Sequence, residues 1–345
     1  MQQQRLLWRS AFFLLFILAP VFDLFRFDLE QNHFIFFRHP WLLGTAAYRS
    51  GEISSVQMAW NMLSRFLLPI VMVIGAGILV AWKWGRLYCG WLCPHFSVVE
   101  IINGLMRRAS GRLSLWDKAP LPDVQQNGIR IIPHRRWWLP AITAALLFAF
   151  LWAVVLLTYL LPPREIYANL FHATLSRNQS LFIGIATSLL TVEFTFARHL
   201  FCRFGCAIGL FQSLVWMGNR RAMVVAFDRS RARSCAECDA SCEHACPMRL
   251  KPRRYKRHMF TCTQCMQCID ACGKVQARHH QAPLLKMLAG DCALDASARG
   301  FGQQPEIPTG CFENAGLAAP NGVARPAGSA RRIRTPFRIR ESSRK

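Results

Sequence analysis

The stretch CAECDASCEHACPMRLKPRRYKRHMFTCTQCMQCIDAC, residues 235–272, contains eight cysteines in two consecutive runs of four. The first run reads C-x2-C-x3-C-x3-C-P and ends at Pro247; the second reads C-x2-C-x2-C-x3-C and is followed by Gly273. Two C-x2-C-x2-C-x3-C-P runs are the bacterial pattern for a pair of iron–sulfur clusters, each held by four thiolates. The spacing therefore predicts two [4Fe–4S] clusters in a domain too short to fold without them.

The spacing also suggests which thiols share a cluster. By analogy with two-cluster ferredoxins, the fourth cysteine of each run binds the other run's cluster. The predicted ligands are Cys235, Cys238, Cys242 and Cys272 for one cluster, and Cys262, Cys265, Cys268 and Cys246 for the other. Structural zinc seldom uses cysteines this densely, disulfide frameworks belong to small secreted domains, and no C-x-x-C-H occurs to attach a c-type haem. One-electron transfer is the chemistry that remains.

Four apolar stretches predict membrane-spanning helices, at about residues 10–27, 66–82, 137–163 and 179–197. The third has no charged residue over 27 positions, which exceeds the roughly 20 that a helix needs to cross a bilayer. The first is followed by no small-residue cleavage site, so we interpret it as an anchor rather than a signal peptide. The membrane region is therefore predicted to cover residues 1–217.

The distribution of Lys and Arg predicts the orientation of these spans. Residues 83–136 carry nine and residues 198–234 carry seven, whereas residues 28–60 and 164–178 carry two each. Positive residues concentrate on the cytoplasmic side, so both termini and the cluster domain are predicted to be cytoplasmic, at a bacterial inner membrane. The formal charge of +23 is then explained by topology and by anionic membrane lipid, not by nucleic acid.

The rest of the chain divides by composition. Residues 218–234 are predicted to be a basic connector and residues 235–276 the cluster domain. Residues 277–345 are rich in Gly, Ala, Pro, Ser and Arg, a composition that predicts a disordered basic tail. Cys292 and Cys311 lie in this tail without a partner motif and receive no predicted role.

Two further cysteine pairs follow predicted spans, and both have the spacing C-x3-C. They are Cys89 with Cys93, and Cys202 with Cys206. Because side chains at i and i+4 share a helix face, each pair is expected to aim two sulfurs at one common site. A soft sulfur site suits Cu(I), zinc or a third iron–sulfur cluster, and a redox-active dithiol is also open. The alternative is that these cysteines are small buried apolar residues.

Two polar residues near these pairs have open roles. His95 follows Cys93 by two positions and could add a nitrogen ligand. Glu193 lies within the fourth apolar stretch, and an acid inside a membrane span suggests a proton or quinol role. Its position near the span's end also allows its carboxylate to reach the interface without any such role.

The chain resembles the membrane-bound polyferredoxins related to NapH, NosR and the FixG/RdxA/CcoG cytochrome oxidase accessory proteins, and is most similar to the accessory proteins. The resemblance covers about residues 15–276. Besides the cysteine runs, the similar stretches are FDLEQNHFIFF (27–37), GRLYCGWLCP (85–94) with Glu100, WDKAP (116–120), LPPREIY (161–167), CRFGCAIGLFQS (202–213) and MVVAFDRSR (223–231).

The resemblance implies a membrane-bound iron–sulfur electron carrier. For the accessory branch it implies reduction of Cu(II) to Cu(I) during maturation of cbb-type cytochrome oxidase; for the NapH branch it implies passage of quinol electrons to a reductase. Three features depart from the accessory proteins. No strand-rich segment like their immunoglobulin-like domain follows residue 277, Ala207 stands where the family has proline, and one residue is inserted between Cys238 and Cys242.

The predicted fold is therefore a membrane α-helical protein with about four transmembrane helices, N-in and C-in, and a small cytoplasmic two-cluster ferredoxin-like α+β domain. The predicted function is electron transfer that reduces copper or supplies electrons during oxidase maturation. Redox donor and acceptor proteins, including oxidase assembly factors, are the expected partners. A NapH-like quinol dehydrogenase subunit and a non-redox assembly scaffold are the alternatives.

Overall fold

The computed structural model describes residues 1–31, 33–297 and 311–312. The helices are α1 Gln2–Val21, α2 Thr45–Arg49, α3 Ser55–Met62, α4 Leu68–Trp84, α5 Leu87–Trp91, α6 Pro94–Ser110, α7 Trp138–Thr158, α8 Pro163–Phe171, α9 Arg177–Val192, α10 Ala207–Gly218, α11 Ser241–His244, α12 Gln267–Ala277 and α13 Ala293–Ala296. The strands are β1 Phe25–Asp28, β2 His33–Phe36, β3 His39–Trp41, β4 Val224–Phe227 and β5 Leu285–Leu288. Short π-helical turns occupy Leu63–Leu67, Glu193–Ala197 and Phe201–Gly205.

Four helical segments in the described part of the chain are long and apolar enough to cross a membrane. They are Gln2–Val21, Ser55–Trp84, Arg135–Thr158 and Arg177–Ala197. Their number agrees with the four apolar stretches predicted from the sequence. The second is one continuous run of α3, a π-helical turn and α4, so it begins well before the predicted residue 66.

The first span differs most from its prediction. The helix covers Gln2–Val21, not residues 10–27, and includes Arg5 and Arg9. Both arginines form ion pairs with Glu100, and the Nη2 of Arg5 is 2.8 Å from its Oε1. Glu100 lies in a helix some 90 residues further along the chain. The sequence alone therefore shows no partner for the two arginines, and their charges interrupt the apolar stretch. A buried pair offsets the cost of burying either charge alone.

The centre of the helical region is α7, which packs against α9 and α6. Its close contacts use the small buried residues Ala141, Ala145 and Ala149, which recur every four positions and therefore share one face. Further along the helix, the Trp152 ring lies 5.0 Å from that of Phe16 in α1. At the far end the antiparallel sheet β1-β2-β3 joins α7 through a hydrogen bond from the Phe27 amide to the Tyr159 carbonyl.

The cluster domain is larger than predicted on both sides. Strand β4 lies in the predicted connector, and it pairs antiparallel with β5, which lies in the predicted tail. The pairing joins Phe227 to Leu285 and closes the domain around the cysteine runs. The prediction of disorder is therefore wrong for residues 278–297. Strands of four residues whose partner is 60 residues away leave too short a pattern to recognise in sequence.

Cys292 and Cys311, which had no predicted role, form a disulfide in the structure. Disulfides are rare in the cytoplasm, so this bond is not what the predicted location leads one to expect. Residues 298–310 and 313–345 of the predicted tail lie outside the described residues.

Candidate metal centres

Four of the predicted ligands line the first of two cavities inside the cluster domain. They are Cys235, Cys238, Cys242 and Cys272. Cys242 belongs to α11 and Cys272 to α12. The side chain of Arg253 reaches the same cavity, and its Nη1 donates to the Sγ of Cys235 at 3.6 Å.

The other four line the second cavity, which is narrow. They are Cys246, Cys262, Cys265 and Cys268, and the walls between them include the side chains of Val225, Met248 and Met259. The structure thus brings the fourth cysteine of each run beside the first three of the other run. Cluster ligation by these thiols stays a prediction.

The donor set in both cavities suits a cationic metal cluster. Burial raises the pKa of Cys242, Cys246 and Cys262 to about 12, so without a metal these thiols keep their protons at neutral pH. Bound iron would stabilise the thiolates and release the protons. Backbone amides already point at the sulfurs: the amide of Leu250 lies 3.4 Å from the Sγ of Cys246.

Two binding loops adopt an unfavourable backbone conformation to supply such amides. Ala240 has a φ of 60° and Gln264 a φ of 56°, in the left-handed region that residues other than glycine rarely occupy. Their N–H groups donate to the sulfurs of Cys238 and Cys262 respectively. Hydrogen bonds to sulfur are one means by which a protein sets the potential of an iron–sulfur cluster.

The two C-x3-C pairs come together in a third group, the quartet Cys89, Cys93, Cys202 and Cys206. As thiolates, Cys89 would repel Cys206 and Cys202, and Cys93 would repel the same two. Burial raises the pKa of Cys89, Cys93 and Cys202, to about 11 for Cys93. In the described part of the chain, no three His, Cys, Asp or Glu side chains are grouped as a single metal ion requires.

The prediction that the two cysteines of each C-x3-C pair share one helix face is wrong. Cys89 lies in α5, which ends at Trp91, and Cys93 has extended backbone before Pro94 opens α6. A residue before proline avoids helical geometry, so the i, i+4 rule does not apply. Cys206 is likewise extended, at the start of α10. Each pair therefore spans a break between two helical segments rather than one helix face.

Arg86 places a positive charge against the quartet. Its side chain is 1% exposed, its Nη2 donates to the Cys202 carbonyl at 2.8 Å, and its charge opposes the effect of burial on the pKa of Cys89. Among the described residues its Nε and Nη1 have no hydrogen-bond partner. A buried cation with unpaired donors is costly, and thiolates at the quartet would supply the negative charge that offsets it.

The quartet and the second cavity are joined by a tight contact at Gly90. A Cβ at Gly90 would collide with the carbonyl oxygen of Thr263, which lies between Cys262 and Cys265. Beside this contact Trp91 donates to the Gln264 carbonyl at 3.1 Å, and Arg5 donates to the Gly90 carbonyl at 2.7 Å. The two thiol groups are therefore held by loops whose backbones touch.

We expect Gly90→Ala to lower the thermal unfolding midpoint of the purified protein clearly, because overpacking against fixed backbone costs about 1–3 kcal/mol. The matched control is Gly77→Ala, since a Cβ there meets nothing within 4 Å. A midpoint for Gly90→Ala equal to that of the control would show that the contact is not close in solution.

Comparisons with known proteins bear directly on these groups. A family described as a 4Fe-4S binding domain matches residues 66–112 and 178–222. The first segment contains Cys89 and Cys93 and the second contains Cys202 and Cys206, so both segments coincide with the quartet rather than with the cluster domain. At the quartet the chain is therefore similar to a 4Fe-4S binding domain.

Three relatives are similar to the chain over part of their length. The chain is 25% identical over 206 residues to YccM of Escherichia coli, a protein named for electron transport, in a match that covers 59% of this chain and 53% of YccM. It is 24% identical over 268 residues to the regulatory protein NosR of Stutzerimonas stutzeri, covering 71% of this chain and 33% of NosR. It is 25% identical over 194 residues to an uncharacterized protein of Methanocaldococcus jannaschii, covering 55% and 70%. No solved structure matches.

These matches support a membrane-associated, polyferredoxin-like family. The chain spans about half the length of YccM and a third of NosR. The finer resemblance to the FixG/RdxA/CcoG branch rests on the sequence motifs alone.

Next to the quartet lies a partly buried acid–imidazole pair. The Nε2 of His95 is 3.3 Å from the Oε1 of Glu193, and the His95 ring packs against Phe194 and Phe201 at 5.2 Å. The Oε2 of Glu193 has no partner among the described residues. Glu193 is also close enough to influence the pKa of Cys202.

Sequence analysis missed Arg86 and Gly90, and it did not single out Arg253 among the basic residues near the clusters. A signal existed for the first two, because both lie in GRLYCGWLCP, which was recognised only for its cysteines. Arg253 is one of several basic residues between the cysteine runs, and nothing in the spacing distinguishes it from its neighbours.

Proposed function

We propose that this protein is a membrane-bound electron carrier with three [4Fe–4S] clusters. Two would be held in the cluster domain by the two groups of four cysteines described above, and the third by the quartet Cys89, Cys93, Cys202 and Cys206. The observation that carries the proposal is the assembly of twelve free cysteines into three groups of four, with two of the groups in backbone contact at Gly90. The clusters would supply one-electron transfer.

A cluster suits the quartet better than a single copper ion does. A lone ion needs three or four ligands on one point, a grouping that the described residues do not provide. A cluster spreads its four ligands around a larger core. The match of a 4Fe-4S binding domain to both C-x3-C segments supports the same choice.

The side chains of the protein would hold the clusters, neutralise their negative charge and shield them from water. Arg86 and Arg253 each place a guanidinium beside a thiol group, which favours the more negative, reduced form of an occupant. Apolar side chains of the second cavity exclude water, and low exposure is one of the factors that tune a cluster's potential. The contact at Gly90 holds neighbouring groups close together, as a relay requires.

The finer functions inferred from the resemblance remain proposals. Delivery of electrons to copper during oxidase maturation fits an electron carrier in which copper is a substrate. Copper resident at the quartet has less support, for the reason given above.

An anaerobic redox titration of the full chain in detergent, followed by EPR, tests the proposal. We expect three clusters to be reduced in separate one-electron steps. Clusters that cannot be reduced at any accessible potential would instead favour the assembly scaffold.

A second candidate function, oxidation of a membrane quinol, is favoured by the pair of His95 and Glu193. Oxidation of a quinol releases protons together with electrons, and the pair offers an imidazole and one unpartnered carboxylate oxygen, the Oε2 of Glu193, beside the quartet. Glu193 lies at the end of the fourth span, where a lipid-soluble donor arrives. Intramembrane acids commonly take part in proton transfer.

If quinol is the donor, Glu193→Gln should slow cluster reduction by a quinol analogue by about 100-fold, the lower end of general-base effects. Reduction by dithionite should be unchanged, because it needs no proton acceptor. Glu52→Gln is the control, since Glu52 is exposed on another loop. Equal quinol rates in the two variants would remove Glu193 from the reaction.

A further inference from the structure

A large cleft separates the membrane helices from the cluster domain. It has a volume of about 830 Å³ and is lined by α1, by α6, by one residue of α7 and by residues of the cluster domain. One wall of the cleft is apolar and includes Leu6, Phe13, Leu14 and Phe148. Three of these belong to the first candidate membrane span and the fourth to the third, so this wall is formed by the segments expected to cross the bilayer.

The opposite end of the cleft is polar and lacks partners. Asn103 is 4% exposed, and neither its Oδ1 nor its Nδ2 has a hydrogen-bond partner among the described residues. Arg107 is 8% exposed, and its Nη2 has no partner there either. The Nδ1 of His244, in the cluster domain, also has no hydrogen-bond partner among the described residues. Buried polar atoms are nearly always satisfied, so several orphans on one wall indicate a ligand.

The charged residues around the cleft indicate the sign of the ligand's charge. Arg9 is paired with Glu100, and Lys274 with Asp270. Within the described residues Arg107 forms no ion pair, and burial lowers its pKa. A buried guanidinium without a counterion is unfavourable, and an anionic group in the cleft would relieve it.

The polar and apolar ends of the cleft together fit an amphiphilic ligand. From Gln2 to Leu14, α1 rises by about 18 Å, from the contact between Gln2 and the Cys265 carbonyl into the apolar wall. A molecule that fills the cleft must therefore be anionic at the cluster domain and hydrocarbon-like in the membrane.

We propose that the cleft binds one acidic phospholipid, whose phosphate pairs with Arg107 and accepts a hydrogen bond from the Asn103 amide. Its acyl chain lies along Leu6, Leu14 and Phe148. The bound lipid fills the seam between the membrane helices and the cluster domain, and it fixes the domain on the membrane face. A free phosphate would leave the apolar wall bare, and a neutral quinone would leave Arg107 without a counterion.

The test uses the full chain purified in mild detergent. Bound lipid is extracted and quantified by mass spectrometry, and thermal unfolding is followed with added phosphatidylglycerol, phosphatidylcholine or inorganic phosphate. We expect about one acidic phospholipid per chain, and a higher unfolding midpoint with phosphatidylglycerol only. Arg107→Gln should weaken phosphatidylglycerol binding at least about tenfold, as expected when a hydrogen bond to a charged group is lost. Arg136→Gln, at an exposed juxtamembrane arginine, should bind as the wild type does.

A second variant covers the case in which Arg107→Gln does not fold. Leu14 is 56% exposed, so Leu14→Trp can be tolerated while it blocks the acyl wall, and it should also reduce the retained lipid. Equal effects of phosphatidylglycerol and phosphatidylcholine, an effect of inorganic phosphate alone, or a retained quinone in place of the lipid would each overturn the proposal. Iron content is recorded throughout, because it depends on the proposed clusters and not on the lipid.

Discussion

Replacing Cys89 and Cys202 together by alanine should remove about four of about twelve irons per chain and leave the other eight in place. The two residues come from different C-x3-C pairs but lie in one buried group, so the variant leaves two thiols where four are needed. Alanine is chosen because a serine hydroxyl could still ligate iron. The loss should be accompanied by the disappearance of one EPR signal from the dithionite-reduced protein.

The matched control removes two cysteines that belong to none of the three groups. Cys292 and Cys311 form the disulfide of the described region, and the variant Cys292→Ala with Cys311→Ala should keep the wild-type iron content. Iron content unchanged in the Cys89 and Cys202 variant would show that the quartet holds no cluster, and copper or dithiol chemistry would then regain its site.

Two double variants should separate the two ways of sharing eight cysteines between two clusters. Cys246 lies with Cys262, Cys265 and Cys268, so Cys246→Ala with Cys265→Ala damages a single group and should cost about four irons. Cys246→Ala with Cys238→Ala damages both groups and should cost about eight. The measurement is iron and acid-labile sulfide per chain on anaerobically purified protein.

Iron held by the quartet serves as an internal standard in this experiment, because neither variant touches it. The opposite order of losses, with the Cys238 variant costing only about four irons, would mean that each run holds its own cluster. The cavities described above would then not be the cluster sites.

Much of the cluster chemistry could be predicted from the sequence, because it depends on the spacing of the cysteines along the chain. The cysteine runs define their own thiol groups, and long uncharged stretches such as residues 137–163 identify membrane helices with no knowledge of the fold. The limits of the first span could not be read in this way. They depend on Glu100, which neutralises Arg5 and Arg9 from a distant helix.

The geometry of the quartet needed the structure for a similar reason. A C-x3-C spacing suggests one helix face, but Pro94 forces a break after Cys93. The same holds for Gly90, whose missing side chain matters only because Thr263, more than 170 residues later, lies against it. The pairing of β4 with β5 likewise joins two distant segments, and no local sequence pattern in either segment indicates that they pair.

The measurement that tests the central proposal most directly is the iron and acid-labile sulfide content of the full chain, purified without oxygen, with the EPR spectrum after dithionite. Three groups of four thiols predict about twelve irons and about twelve sulfides per chain. About eight of each, with every signal assigned to the cluster domain, would contradict the third cluster. A preparation without iron that still folds would contradict the electron carrier itself.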